Sequence, residues 1–331
     1  MNSSVTRTPP ASADPDRLLP VQPAHQLPVR TAAQRWLVTD LWLETAVGIL
    51  GGEPKSFKSF LALDLAVAVA SGTACLRHFP VPHPGRVLLY AAEDALHIVR
   101  ARLEGICAAA AVSLQTLDVQ VITAPTLRLD LPADRIRLQH TVEHLKPRLL
   151  LLDPFVRLHR IDENACGEVA PLLAYLRELQ RRHHLAVLLV HHAKKAASHV
   201  RAGQALRGSS EFHAWGDSNL YLRRLGNELT LTIEHRAARP PPPLGLELAQ
   251  RGEALALELR AQAPPSEIPP PSSVDERILN ALSHSTRPIP TPELRALCAV
   301  RKATFYARLF ELTRTGRLVR SPEGYRLATA G

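Results

Sequence analysis

From about residue 46 onward, short unbroken apolar runs alternate with longer stretches whose apolar residues recur at helical spacing. The runs at 46–50, 86–92, 119–123, 148–153 and 185–190 lack the polar alternation of a half-exposed strand. Each reads as a strand buried on both faces. Between them, 60–70, 95–110, 131–145 and 168–182 have the spacing of helices. Buried strands separated by helices predict an α/β fold with a mostly parallel sheet covered on both sides. Later runs at 220–223, 228–234, 245–248 and 254–259 are shorter and more polar, and predict an antiparallel extension at one edge. Residues 36–38 and 41–43, each with a tryptophan, lead into the first strand.

Punctuation divides the chain further. Residues 1–31 are rich in Pro, Ser, Ala and Arg without periodicity, and predict a disordered leader. The Arg239-Pro-Pro-Pro-Pro243 segment bridges two late strands, and residues 263–272 form a stiff Pro-rich linker. The expected domains are therefore 32–262 and 273–331.

Composition adds exclusions. The hydrophobic content of 46% supports a sizeable core. No apolar leader and no run of 18 apolar residues is present, so neither a signal peptide nor a membrane span is expected. Cys75, Cys107, Cys166 and Cys298 lie far apart and form no CxxC, which fits free thiols in a cytoplasmic protein rather than zinc. Forty Lys and Arg against 31 Asp and Glu give a formal charge of +9. That charge fits a polyanionic partner, although Arg-rich, Lys-poor chains also arise from GC-rich genomes.

The chemistry concentrates at Gly52-Glu53-Pro54-Lys55-Ser56-Phe57-Lys58-Ser59, between an apolar strand and a helix. Strand, tight loop, Lys-Ser, helix is the layout of a phosphate-binding loop. N–H groups at a helix start have no intrahelical acceptor and suit a triphosphate. Lys58 is placed for the β- and γ-phosphates, and the Ser59 hydroxyl for Mg²⁺. Phe57 stands where the pattern has glycine. If that position needs positive φ, the side chain costs about 1–2 kcal/mol. Asp153 ends an apolar strand and is placed to serve the Mg²⁺ shell. Glu93 ends another strand and is placed to orient or deprotonate the attacking water. Asp94 is expected to cap the next helix. His191 and His192 end the fourth strand, where an imidazole can sense a γ-phosphate. Residues 193–210 are basic and lack core periodicity. Lys194, Lys195 and Arg201 there suit a nucleic-acid backbone, and Arg207 suits an arginine finger.

Gly-Glu-Pro-Lys-Ser-Phe-Lys-Ser, Ala-Glu-Asp, Leu-Leu-Leu-Asp-Pro, His-His-Ala-Lys-Lys and Arg-Gly-Ser-Ser followed by Asp217-Ser218-Asn219 occur in order. Together they resemble the RecA-superfamily ATPases of the RepA-like hexameric helicase type, often labelled an AAA family, over about residues 34–235. The resemblance implies a RecA-like core, ATP with Mg²⁺, and a ring of identical subunits. It implies phosphate-loop roles for Lys58 and Ser59, Mg²⁺ for Asp153, and catalysis for Glu93. It also implies a sensor at His192 (or His191) and a finger at Arg207.

Residues 274–327 read helix, helix, helix and hairpin, and resemble a winged-helix domain. In such a module the third helix enters DNA, with Arg301, Lys302, Thr304, Tyr306 and Arg308 facing it and Arg314, Arg317 and Arg320 on phosphates. A module of this kind also serves protein contacts. The expected protein is a DNA-acting ATPase motor, a helicase or helicase-like protein of mobile-element replication. The rival expectations are an ATP-switched DNA-binding regulator and a RadA-like recombination accessory ATPase.

Overall fold

A computed structural model of the chain describes residues 21–29, 31, 33–192, 211–251, 254–260, 274–283, 285, 287–298 and 302–328. It divides into two compact units, Met1–Arg260 and Ala261–Gly331. Residues 1–20 of the expected leader and the whole 263–272 linker lie outside the described residues. Residues 21–29 are exposed and hold one 3-10 turn, Ala24–Gln26.

The first unit opens with a small antiparallel pair, β1 (Trp36–Val38) and β2 (Trp42–Leu43). Then come β3 (Val47–Gly52), α1 (Lys58–Ser71), β4 (Val87–Ala91), α2 (Leu96–Ala109), β5 (Val119–Val121) and α3 (Pro132–Leu145). They are followed by β6 (Leu149–Asp153), α4 (Cys166–His183), β7 (Ala186–His192), α5 (Glu211–Trp215) and β8 (Ser218–Leu225). β9 (Glu228–His235), β10 (Leu244–Arg251) and β11 (Ala254–Leu259) close the unit. One sheet of nine strands runs β11-β10-β9-β8-β3-β7-β6-β4-β5. The strands from β8 to β5 are parallel, and β9, β10 and β11 continue the β8 edge as an antiparallel meander.

The apolar runs are explained by two cores. Leu149, Leu151, Leu188 and Val190 face α1 and α2, while Leu150, Leu152, Val187 and Leu189 face α3 and α4. Successive strand residues thus feed opposite layers, and neither face reaches water. Helix α1 touches the sheet, α2 and β11, so it is apolar nearly all round. Among the described residues no helix is long and apolar enough to cross a membrane.

The β3–β8 seam decides where the site sits. These strands pair in backbone register only from Leu50↔Leu220 to Gly52↔Leu222. Upstream, side chains of β8 and the residue before it satisfy N–H groups of β2 and β3. Ile49 N–H donates to Asn219 Oδ1 at 3.1 Å, Val47 N–H to Asp217 Oδ2 at 3.3 Å, and Leu43 N–H to Ser218 Oγ at 3.0 Å. A Cβ on Gly48 would stand 1.6 Å from the Ser218 carbonyl oxygen, so only glycine lets the strands approach there. The Asp-Ser-Asn triplet is a seam of the fold. Asn219→Ala leaves the buried Ile49 N–H without its acceptor and is expected to cost about 1–3 kcal/mol. A lower urea midpoint with an unchanged slope checks this.

The second unit contains α6 (Val274–Ser283), α7 (Thr291–Cys298), α8 (Lys302–Arg314), β12 (Leu318–Ser321) and β13 (Gly324–Leu327). Ile278, Leu282, Leu294, Phe305, Leu309, Leu312 and Leu318 form its core. The hairpin is tied back by an antiparallel bridge between Ile289 and Tyr325. Gly324, at φ +143°, allows that approach: a Cβ there would meet the Ile289 carbonyl oxygen at 2.3 Å.

Candidate functional site

Residues 53–57 connect the end of β3 to the start of α1 at the carboxyl edge of the parallel strands, where open α/β sheets bind ligands. A Cβ on Gly52 would lie 2.5 Å from the Leu222 carbonyl oxygen and 2.7 Å from Ser56 Oγ, so the loop needs glycine there. Lys55 (φ +62°) and Phe57 (φ +63°) are both left-handed. Phe57 therefore adopts the backbone that the missing glycine would adopt freely, at a cost of about 1–2 kcal/mol. It is the N-terminal cap residue of α1, and its side chain makes no capping hydrogen bond. Ser56 is fully buried and donates from Oγ to the Glu53 carbonyl oxygen at 2.7 Å. It closes the loop on itself. Pro54 and Lys55 are exposed.

Lys58 Nζ donates to the same Glu53 carbonyl oxygen at 2.8 Å. Its side chain is buried, and burial brings its pKa down to about 8, against the pull of Asp153, Glu93 and Glu53. The ammonium is thus held against a desolvation cost at the head of α1. Asp153, at the end of β6, is also buried and is pushed up to about 6. Burial is the main cause; a hydrogen bond from Ser59 and the charge of Lys58 oppose it, while Asp94 and Glu93 add to it.

A hydroxyl and a carboxylate thus stand side by side at the head of α1. They are hard oxygen donors suited to Mg²⁺, which keeps much of its shell as water and phosphate. Among the described residues no group of three or more His, Cys, Asp or Glu is arranged to hold a metal. A hydroxyl and a carboxylate of this kind fit Mg²⁺.

Glu93 follows β4 and accepts a hydrogen bond from Arg157 Nε at 2.9 Å. Arg157 carries no sequence signal beyond lying four residues after Asp153. The expectation for Asp94 is corrected: Ala95 is the cap residue of α2, with no side-chain cap, and the Asp94 carboxylate reaches Arg102 instead. A two-pronged guanidinium pair outcompetes a single capping bond.

The two strand-end histidines separate. His191 is buried and stacks on Phe212, with ring centroids 4.4 Å apart. His192 is in register with Gly52 across β3 and β7, which places it beside the loop. Behind them lies a cluster that no motif announced. His159 Nδ1 accepts from the Ile161 N–H at 3.4 Å, and His159 Nε2 lies 3.4 Å from Glu163 Oε1. Burial pushes the Glu163 carboxyl up, but His159, His191 and His192 outweigh it and hold it below the usual range.

Lys194, Lys195, Arg201, Arg207 and Arg301 lie outside the described residues, as does the Lys302 side chain. On α8, Thr304, Tyr306 and Arg308 are exposed. Two residues apart on a helix means about 200°, so Tyr306 and Arg308 occupy opposite flanks. Arg308 donates from Nε to Asp275 of α6 at 2.7 Å, and Arg314 pairs with Glu311. Thr304 and Arg308, four residues apart, share one face of the helix, and Tyr306 lies on the other.

The sequence pattern described as AAA domain matches residues 12–198. A solved structure described as an ATPase domain superposes with a TM-score of 0.51 at 12% identity, covering 66% of this chain and 87% of that one. A crystal structure of the RadB recombinase gives a TM-score of 0.48 at 16% identity, covering 66% and 92%. The fold of the first unit is a RecA-like core.

Proposed function

The chain belongs to the AAA domain family, and from that premise we propose that it is an ATP-hydrolysing motor acting on DNA, a RepA-like helicase or helicase-like protein of mobile-element replication. The observation that carries this reading is the meeting of Lys58, Ser59 and Asp153 at the head of α1, with both ionisable groups buried and perturbed. Lys58 and the first-turn N–H groups neutralise the phosphate tail of ATP. Ser59 and Asp153 would hold Mg²⁺, which would draw charge from the terminal phosphate. Glu93, steered by Arg157, orients the attacking water and accepts its proton. His192 stands beside the loop as the sensor.

Subunits form a ring in this reading, with Arg207 of one completing the site of the next. The second unit is a winged-helix DNA-binding module. Its support is the helix, helix, helix, hairpin order and a basic excess of ten Arg and Lys over five Asp and Glu in residues 273–331. The test is ATP turnover by the purified protein with and without single- and double-stranded DNA, alongside its mass in solution. DNA-stimulated turnover by an oligomer is expected.

A second reading, an ATP-switched DNA-binding regulator, is favoured by the strained Phe57. It predicts tight duplex binding with slow turnover that single strands leave unchanged. A RadA-like recombination accessory would hydrolyse ATP yet fail to displace a strand.

A further inference from the structure

We propose that Arg224 is a positioning residue for the phosphate-binding loop, its guanidinium laid on the Phe57 ring to hold the left-handed cap that glycine would need no help to form. The inference rests on the nucleotide reading of that loop and deepens it.

Arg224 stands near the end of β8, the strand whose Leu222 carbonyl oxygen touches the Gly52 position. Its guanidinium carbon lies 5.3 Å from the Phe57 ring centroid. The row continues. Phe57 meets Phe60 edge-on at 6.2 Å, Arg102 lies 5.2 Å over the Phe60 ring, and Arg102 pairs with Asp94. Cation, ring, ring, cation, carboxylate thus link β8, the loop, the first turn of α1, α2 and the acidic end of β4.

The row explains how a bulky residue is kept where the pattern has glycine. The Phe57 backbone is strained by its φ of +63°, and its side chain is met by Arg224 of β8 and by Phe60 in the first turn of α1. Strained loop residues persist only where the surroundings over-determine them. A loop held in its binding shape loses less freedom when it takes a ligand. Removing the clamp should therefore weaken nucleotide binding. An exposed cation–ring contact of this kind corresponds to about a two- to fivefold change in an equilibrium constant.

The test compares wild type, Arg224→Ala, Arg224→Lys, Phe57→Gly and the Arg224→Ala/Phe57→Gly double variant. Two readouts are taken: the affinity for a fluorescent ATP analogue, and thermal unfolding without nucleotide. Arg224→Ala should raise the dissociation constant about two- to fivefold, and Arg224→Lys should restore most of it. In the Phe57→Gly background Arg224→Ala should leave affinity unchanged, because the partner ring is gone, and should lower the melting temperature less than it does in wild type, since only the Arg224 Nε bond to the Gly226 carbonyl oxygen remains to be lost. Equal affinity of Arg224→Ala and wild type, or additive effects in the double variant, overturns the clamp while leaving the nucleotide site standing. A wild type that binds no analogue overturns the nucleotide reading, and the positioning role with it, even if the two substitutions remain coupled in unfolding.

Discussion

Lys58→Met is expected to abolish nucleotide binding and, at the same time, to make the protein harder to melt at pH 7. Both effects come from one fact. The ammonium is buried beside the loop with its pKa brought down from 10.5 to about 8. An unfolded chain binds that proton more tightly than the folded one, so folding is opposed wherever the lysine must be charged. By linkage the opposition is about 3 kcal/mol below pH 8 and fades as pH rises from about 8 to 10.5. Methionine keeps the aliphatic stem and removes the charge. The lost hydrogen bond to Glu53 offsets about 1 kcal/mol of the gain. The net gain should appear as a melting temperature several degrees higher at pH 7, at about 2–4 °C per kcal/mol for a unit of this size. The gap should shrink by pH 10, where wild-type Lys58 is neutral in the fold. Titration with an ATP analogue reads the other half. Near-normal binding or turnover by Lys58→Met removes the phosphate-loop assignment.

Features visible along the chain were those set by local period or by a contiguous motif. Leu149 to Leu152 read as a doubly covered strand because four adjacent leucines can be buried only between two layers. The glycine at position 52 and the Lys58-Ser59 pair read as a loop because the chemistry needs them adjacent. Groups that act through tertiary pairing carried no such signal. Arg157 reaches Glu93 across 64 residues, and nothing local marks either as the other's partner. Asp94 looked like a cap because a carboxylate before a helix usually is one; the nearby Arg102 offered more. The Asp217-Ser218-Asn219 triplet looked like a family signature, yet its work is to satisfy N–H groups of β2 and β3 where the backbone register gives out. Phe57 could be read only conditionally, since the side chain argues against a left-handed backbone and the loop imposes it. On α8 the order of elements was legible, but no local pattern announces that Asp275, 33 residues upstream, claims Arg308.

Asp153→Asn separates metal chemistry from folding and has the opposite sign of pH dependence to Lys58. The wild-type carboxyl, pushed up from 3.8 to about 6, binds its proton more tightly in the fold than in the unfolded chain. That preference stabilises the fold fully below pH 3.8 and is lost as pH rises through 6. At neutral pH the fold therefore holds a buried carboxylate at a cost of about 3 kcal/mol. Asparagine stays neutral and still accepts from Ser59. The variant should match wild type near pH 4, pull ahead between pH 4 and 6, and keep a constant lead above that. Function should move the other way. Turnover should fall about 10- to 100-fold, and raising Mg²⁺ should no longer tighten the hold on ATP. Thermal melts across pH 4–8 and Mg²⁺ titrations of ATP hydrolysis test the two halves separately. A variant that gains stability yet keeps the wild-type Mg²⁺ dependence would leave the buried charge explained by the fold alone and remove Asp153 from the metal site.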